Sequence, residues 1–393
     1  MGETKLLDEV DFALNEMPGD EMHRVLRAYR EQNPISETRF LGLPAKVITG
    51  HPELLDALTS PEGFPPHAMY KASFENAIGE TFISMEDPRK HRIYRKLVTP
   101  AFRSRAVANY EQEGIAALAH ELIDRIGEQK SFNLVDAFTT RFPYLVISRL
   151  LGLPKDREDE FQGWALALLR FRDDPAAAQI AREKLTDFLS PVVEERRREP
   201  REDVISELLQ IEIEGRKLSD EEIHSHIRLL FPTGGETTHG SLGNLLYAVL
   251  SRPSLWRRLC EDPSLAAAAS EESLRWETPI AVLPRLSGEE DQFFHGVEIP
   301  AHSWVLFAMA AANRDPRVFE KPDDFDLSRD QRESLTFGRG VKACPGMHLA
   351  RKNMTIALQV MLERMPSLRL LDPEKARPRQ TVLRCPSALH VSV

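Results

Sequence analysis

Phe337-Gly338-Arg339-Gly340-Val341-Lys342-Ala343-Cys344-Pro345-Gly346, running into residues 347–365, joins a glycine-rich loop to a helix, with one cysteine at the junction. Beyond Met347 the apolar residues Ala350, Met354, Ala357, Leu358 and Met361 recur at the spacing of a helix that buries one face. Pro345 suits a first helical turn, where no backbone N–H is needed. Cys344 therefore stands just ahead of a helix N-terminus, where unpaired N–H groups and the positive end of the dipole favour a thiolate over a thiol. The loop glycines let the backbone come close to something flat, and Phe337 can pack against it. A lone thiolate supported in this way is a metal ligand or a nucleophile.

The frame around this stretch is that of a globular protein. Of 393 residues, 42% are hydrophobic and 28% charged, an ordinary balance for a packed core. A formal charge of −10 argues against nucleic acid as the main partner. No apolar run approaches the ~20 residues that span a bilayer, and Met1-Gly2-Glu3-Thr4-Lys5 lacks the apolar centre of a signal peptide. The expectation is a cytoplasmic protein with no membrane anchor. Cys260, Cys344 and Cys385 show no C-x-x-C spacing, which fits a reducing compartment. Cys260 reads as a core cysteine and Cys385 as a loop cysteine.

Helical periodicity dominates. It covers residues 5–29 (interrupted at Pro18-Gly19), 106–126, 134–151, 157–170 and 176–199. Strand-like pieces fall at 38–41, 45–49, 280–304, 367–371 and 381–393, while 63–84 is irregular. The economical reading is mainly α with a small β portion: one unit over 1–393, β-rich at roughly 35–60, 280–305 and 367–393.

Ser219-Asp220-Glu221-Glu222 is a capping box, and the helical pattern after it runs to Leu250. Its middle is Phe231-Pro232-Thr233-Gly234-Gly235-Glu236-Thr237-Thr238. In a helix interior a proline costs roughly 3 kcal/mol and a glycine roughly 1 kcal/mol relative to alanine. A kink or an opening is expected there, for packing or for function.

Phe337-x-x-Gly340-x-Lys342-x-Cys344-x-Gly346 resembles the haem-binding loop of the cytochromes P450, whose thiolate is the fifth ligand to haem iron. The family pattern usually has Arg or His where this chain has Lys342. Gly234-x-Glu236-Thr237-Thr238 resembles the family's acid–alcohol motif, in which the acid relays protons and the hydroxyl supports bound oxygen. Glu272-Ser273-Leu274-Arg275 resembles E-x-x-R, with Arg329 as its third, structural partner. Asp87 to Arg95 resembles the helix that carries His91 and Arg95 to the haem propionates, and Arg285 matches a third propionate ligand.

The resemblance implies the cytochrome P450 fold, a triangular helical prism with haem between the long kinked helix and the Cys-loop helix. It implies haem b (iron protoporphyrin IX) held by Cys344 as metal ligand, with Phe337, Gly338, Gly346 and Gly234 against the cofactor. Small residues at 234 and 235 would leave room for oxygen. The implied activity is a monooxygenase that inserts one atom of O2 into a mostly apolar small or medium substrate. Its pocket would draw on Trp164, Leu168, Phe231, Thr233, Thr238, Val282 and Leu283. Arg170 and Arg172 are exposed arginines or a carboxylate clamp. Electrons would come from a ferredoxin-type donor with its reductase. That donor would dock near Arg339, Lys342, Arg351 and Lys352 and the basic run Arg89, Lys90, Arg92, Arg95, Lys96, Arg103 and Arg105. The alternatives are a haem sensor or carrier without turnover, or a peroxide-driven oxygenase.

Other motifs lack their context. Gly338-x-Gly340-x-x-Ala343 has no preceding buried strand, His224 and His226 point apart on a helix, and no base is assigned to Cys344 for hydrolysis.

Overall fold

A computed structural model describes residues 7–102, 114–154 and 157–393 of the chain, which is about 53% helical with a small β portion. The principal helices are α1 Asp20–Gln32, α2 Pro88–Val98, α3 Ile115–Ile126, α4 Phe142–Leu150, α5 Glu158–Leu169, α6 Pro175–Arg198, α7 Asp220–Leu250, α8 Pro253–Glu261, α9 Ala266–Trp276 and α10 Met347–Arg364. Their starts carry local signals. The Asp87 side chain accepts from the N–H of Arg89 ahead of α2, and Asp174 does the same for Ala177 ahead of α6, each with proline in the first turn. At α7 the Ser219–Glu222 capping box is formed in both directions.

The strands are β1 Ile35–Phe40, β2 Leu43–Ile48, β3 Ser131–Asn133, β4 Leu283–Leu286, β5 Gln292–Phe294, β6 Val297–Ile299, β7 Trp304–Phe307, β8 Arg369–Leu370 and β9 His390–Ser392. They form a four-stranded sheet of order β1-β2-β7-β4, a three-stranded sheet β3-β9-β8 and the hairpin β5-β6. In the first sheet β4 runs antiparallel to β7, with Arg285 opposite Val305.

The largest apolar cluster is built around α7, against which α4, α5, α6, α8, α9 and α10 all pack. Neighbours on every side explain why α7 is buried from Ile223 to Leu250 with few breaks. Those breaks are Thr233, Gly234, Glu236, Thr237 and Tyr247.

Several expectations are corrected. Within 5–29 the helix is α1, preceded by a short 3-10 turn at Leu7–Glu9. Asp11 diverts the intervening chain by accepting from the N–H groups of Ala13 (2.8 Å) and Gly42 (2.7 Å). The stretch 51–60 is a helix, His51–Thr59, not strand, and the irregular 63–84 contains the short helices Ala68–Ser73 and Glu75–Ile78. The pattern over 134–151 divides into a π-helical turn, Val135–Thr139, and α4. β3 lies between the helical stretches 106–126 and 134–151, where no strand is expected, because its partner, β9, is supplied from the far end of the chain. Of the expected kink or opening in α7 there is no opening: the helix is continuous through Pro232, Gly234 and Gly235. Residues 5–6 and 106–113, expected to be helical, and the bases Arg103 and Arg105 lie outside the described residues.

Candidate active site

The Cys344 loop is set by two glycines with left-handed backbone, Gly338 (φ 68°) and Gly340 (φ 71°). A Cβ on Gly340 would stand 2.9 Å from the carbonyl oxygen of Leu58, so this position has no room for a side chain. The turn closes when the N–H of Cys344 donates to the carbonyl of Phe337 at 2.8 Å. Arg351, one turn into α10, lays its guanidinium 4.8 Å from the centre of the Phe337 ring. Burial pushes the Cys344 thiol up, and the N–H of Gly346, Arg95 and Arg351 pull it back down. The helix N-terminus therefore does not favour the thiolate unaided, as the sequence suggested; a cation bonded to sulfur would have to supply the rest.

Four basic side chains gather at this loop: Lys342 of the loop itself, His91 and Arg95 of α2, and Arg285 of β4. Arg95 of α2 donates to the carbonyl of Ala343. Lys342 Nζ donates to the carbonyls of Phe82 and Ile83 at 2.8 and 3.0 Å. Arg285 of β4 is 5% exposed and lies over the rings of Tyr70 and Phe307 at 5.2 and 5.8 Å. His91 is also buried, and its Nε2 has no hydrogen-bond partner among the described residues. Burial, followed by the nearby Arg285 and Arg95 charges, pushes Lys342 down to about 7. Burial, Lys342 and Arg95 push His91 down to about 4. Among the described residues no carboxylate pairs with Arg95, Arg285 or Lys342. Such a cluster is unfavourable by itself and fits a ligand that brings buried negative charge, as two propionates do.

On α7 three hydroxyls bond back along their own helix. Thr233 Oγ1 donates to Leu229 O at 2.6 Å, Thr237 Oγ1 to Thr233 O at 2.7 Å, and Ser241 Oγ to Thr237 O at 2.8 Å. Thr237 therefore spends its proton on Thr233, and must rotate about χ1 to donate to a ligand. Glu236 accepts from the hydroxyl of Tyr144 on α4 at 3.3 Å. The two glycines do not leave an open space here. A Cβ on Gly234 would meet Ile147 Cδ1 at 2.7 Å, and one on Gly235 would meet the Tyr144 ring at 2.4 Å. They allow α4 and α7 to pack closely, which corrects the expectation that small residues make room for oxygen on that face.

Glu272 and Arg275 are both fully buried, 2.7 Å apart. Arg329 Nε reaches Glu272 at 3.2 Å, Gln331 Nε2 donates to it at 2.7 Å, and the N–H of Asp326 does so at 2.9 Å. Arg275 in turn donates to the carbonyls of Asn313 and Pro322 at 2.9 and 2.8 Å. The cluster pins the segment that leads into the Cys344 loop.

The expected pocket residues divide. Thr233, Trp164 and Leu283 are partly open, whereas Leu168, Phe231, Thr238 and Val282 are buried. Phe231 packs edge-on against Tyr144, and Val282 belongs to the smaller core of Phe12, Met22 and Leu306, so neither presents an open face. Arg172 donates to Ser73 Oγ at 2.8 Å and covers the Phe171 ring. His224 and His226 do face different neighbours: His224 approaches Glu221 at 4.0 Å, while His226 bonds Glu222 O and Phe82 N. Tyr144 and Gln331 escaped the sequence reading. Each acts on a residue 92 and 59 positions away, respectively, and no local pattern marks such pairs.

A family model described as Cytochrome P450 matches residues 168–387. The chain is 33% identical over 398 residues to cytochrome P450 CYP107DY1 of Priestia megaterium, covering 95% of this chain and 97% of that one. The chain belongs to the cytochromes P450. This P450 is also 32% identical over 381 residues to the 6-deoxyerythronolide B hydroxylase of Saccharopolyspora erythraea, covering 92% of this chain and 93% of the relative. It superposes on the structure of cytochrome P450 CYP109Q5 from Chondromyces apiculatus with a TM-score of 0.87, at 29% identity and 98% coverage of both chains. The P450 fold expected from the Cys344 loop is thus the fold found. The protein is a bacterial-type P450 monooxygenase that carries haem and acts on an organic substrate with O2 and redox partners. Among the described residues, no helix is long and apolar enough to cross a membrane.

Proposed function

We propose that this P450 is a cytoplasmic, ferredoxin-dependent monooxygenase working as one unit over its 393 residues, with haem b and a mostly apolar small or medium substrate. The observation that carries the site assignment is the convergence of His91, Arg95, Arg285 and Lys342 on the Cys344 loop without a carboxylate among the described residues. Cys344 would ligate the iron, and the four basic groups would hold the propionates. Phe337, Gly338 and Gly346 form the loop against the cofactor. Lys342 contributes a point charge where an arginine would offer a fork.

When bound, haem supplies the binding and activation of dioxygen. The chain's own contribution is to exclude water and to deliver protons. Helices packed around α7 bury most of its length and leave its partly open face at Thr233, Gly234, Glu236 and Thr237. Glu236 carries protons inward, and Thr237, once turned from Thr233 O, presents its hydroxyl to the ligand side. Glu272, Arg275 and Arg329 hold the loop before Cys344 in place. The substrate would meet the partly open positions Thr233, Trp164 and Leu283.

The test is spectroscopic and then catalytic. The reduced protein under carbon monoxide should give a thiolate-type haem spectrum that Cys344→Ala abolishes. Thr237→Ala should retain haem while sending most electrons from a surrogate ferredoxin pair to hydrogen peroxide. A chromophore indifferent to residue 344, or parental coupling in Thr237→Ala, contradicts the respective assignment. A spin-state shift of the Soret band across a panel of terpenoids, steroids, fatty acids and aromatics narrows the substrate class.

A further inference from the structure

The groups that face Glu236 electrostatically come from three places: Tyr144 on α4, His239 further along α7, and Cys385 in the C-terminal segment. They are not equivalent. His239 is buried and turns its Nδ1 to Thr139 Oγ1 at 3.2 Å. The Cys385 thiol is pushed up to about 12, by burial first and then by Glu236, so it holds its proton. Tyr144 alone among the described residues places a polar atom within hydrogen-bond distance of the Glu236 carboxylate, at 3.3 Å.

Two further features single out Tyr144. Its ring lies flat against α7 because position 235 is glycine: a Cβ there would come within 2.4–2.6 Å of three ring atoms. Any other residue at 235 would displace the phenol from Glu236. Tyr144 also helps line a cavity of about 10 Å³ with Arg141, Ser148, Glu158, Asp159 and Gln162, on the side where α4 meets α5. That volume is about what one water needs, and its polar walls suit one. The rim belongs to exposed pairs such as Arg141–Asp159 at 3.1 Å, so the cavity lies next to bulk solvent.

We propose that Tyr144 is a positioning residue for the monooxygenase reaction: its hydroxyl holds the Glu236 carboxylate and passes it protons from the α4–α5 side. This rests on the reading of Glu236 as the acid of the proton path. The hydroxyl gives its proton to the carboxylate oxygen and recovers one from water on the cavity side. The phenol thus ends each transfer as it began, and the two protons consumed per turnover come from solvent. Burial and then Glu236 raise the phenol above its ordinary range, which keeps it a donor rather than a phenolate. A 3.3 Å contact is long for O–H···O, so the carboxylate is held loosely enough to turn towards Thr237.

The experiment uses the haem-loaded protein in air with NADPH and a surrogate ferredoxin pair in excess, because the oxygen-driven reaction draws its two protons from solvent whereas hydrogen peroxide would bring its own. Tyr144→Phe keeps the ring and removes the hydroxyl. It should leave the ferrous–carbonyl spectrum intact and slow oxygen-dependent NADPH oxidation about tenfold, less than the roughly hundredfold or more of a positioned general acid or base, because Tyr144 acts through Glu236. Glu236→Gln should slow it at least as much, and the double variant no further, because both residues serve one path. Gly235→Ala retains the hydroxyl but displaces it, and should match Tyr144→Phe. Independently of turnover, the ¹⁹F resonance of 3-fluorotyrosine at 144, identified by its loss in Tyr144→Phe, should move in Glu236→Gln. A parental rate in Tyr144→Phe beside a slow Glu236→Gln, losses that multiply in the double variant, or an unmoved ¹⁹F resonance would each overturn the role of Tyr144. A parental rate in Glu236→Gln would instead remove the reading of Glu236 on which it rests.

Discussion

Both ring nitrogens of His226 are engaged by backbone: Nδ1 donates to Glu222 O at 2.6 Å, and Nε2 accepts from Phe82 N–H at 3.2 Å. The ring also stacks on Phe82 and Tyr94. Burial pushes the histidine down to about 4, and a second proton on Nε2 would in addition face a donor. The sign follows from linkage: between pH 6.5 and 4 the unfolded chain takes up a proton that the folded chain refuses. Stability is therefore whole above about 6.5 and falls as pH drops through that window, by up to roughly 3 kcal/mol for this one residue. His23, pushed to about 4 by burial and by Arg314, acts in the same direction. Chemical unfolding at pH 7 and pH 4.5 should show the loss, and His226→Gln should reduce the difference between the two. An equal pH dependence in that variant would show that His226 is not one of the groups responsible. None of this was legible in the sequence, where His226 was simply a histidine on the wrong helical spacing to make a metal pair.

At the scale of elements, the segment between β7 and α10 has little regular structure and depends on side chains for its shape. Glu272 is its anchor, accepting from Arg275, Arg329, Gln331 and the N–H of Asp326. Removing its charge would leave two guanidinium groups buried without compensation. Glu272→Gln should lower stability by about 3–5 kcal/mol. Gln331→Ala, which removes one hydrogen bond to a charged acceptor, should cost roughly 1.5–3 kcal/mol. Unfolding in urea followed by circular dichroism would rank them, and a Glu272→Gln protein as stable as its parent would remove the anchor from the account. The E-x-x-R pair and Arg329 were legible because they stand in a recognisable motif. Gln331 was not, because nothing in Asp330-Gln331-Arg332 tells which way an amide will turn. The long helix shows the same limit from the other side. Its cap and extent were readable, but its continuity through Pro232 was not, because tertiary neighbours outweigh propensity.

Over the whole molecule, the bases counted along the sequence take different roles once folded. Arg95 and Lys342 turn inward, Arg351 pairs with Glu271 at 2.6 Å, and Lys90 pairs with Glu80 at 2.7 Å. Arg92 and Lys96, one turn apart on α2, are exposed, and no carboxylate pairs with them among the described residues. If the electron donor is an acidic ferredoxin, these two are the better docking candidates. Reversing both to Glu should slow reduction at low ionic strength about tenfold or more and flatten its salt dependence. Stopped-flow reduction under carbon monoxide reads this directly; unchanged rates at low salt would move the docking surface elsewhere. Arg351→Glu should instead act through Phe337 and Glu271, altering the haem spectrum as well as the rate.

The sequence by itself determined the family, the sulfur and the helical character, because those depend on short patterns: a glycine-bounded cysteine before a helix, an acid next to a threonine, two opposite charges three residues apart. The tertiary structure alone decided which basic groups crowd the Cys344 loop, which glycines admit a neighbouring helix rather than a ligand, and that a tyrosine on α4 stands against Glu236. Those outcomes turn on distances between segments far apart in the chain, and only packing sets such distances.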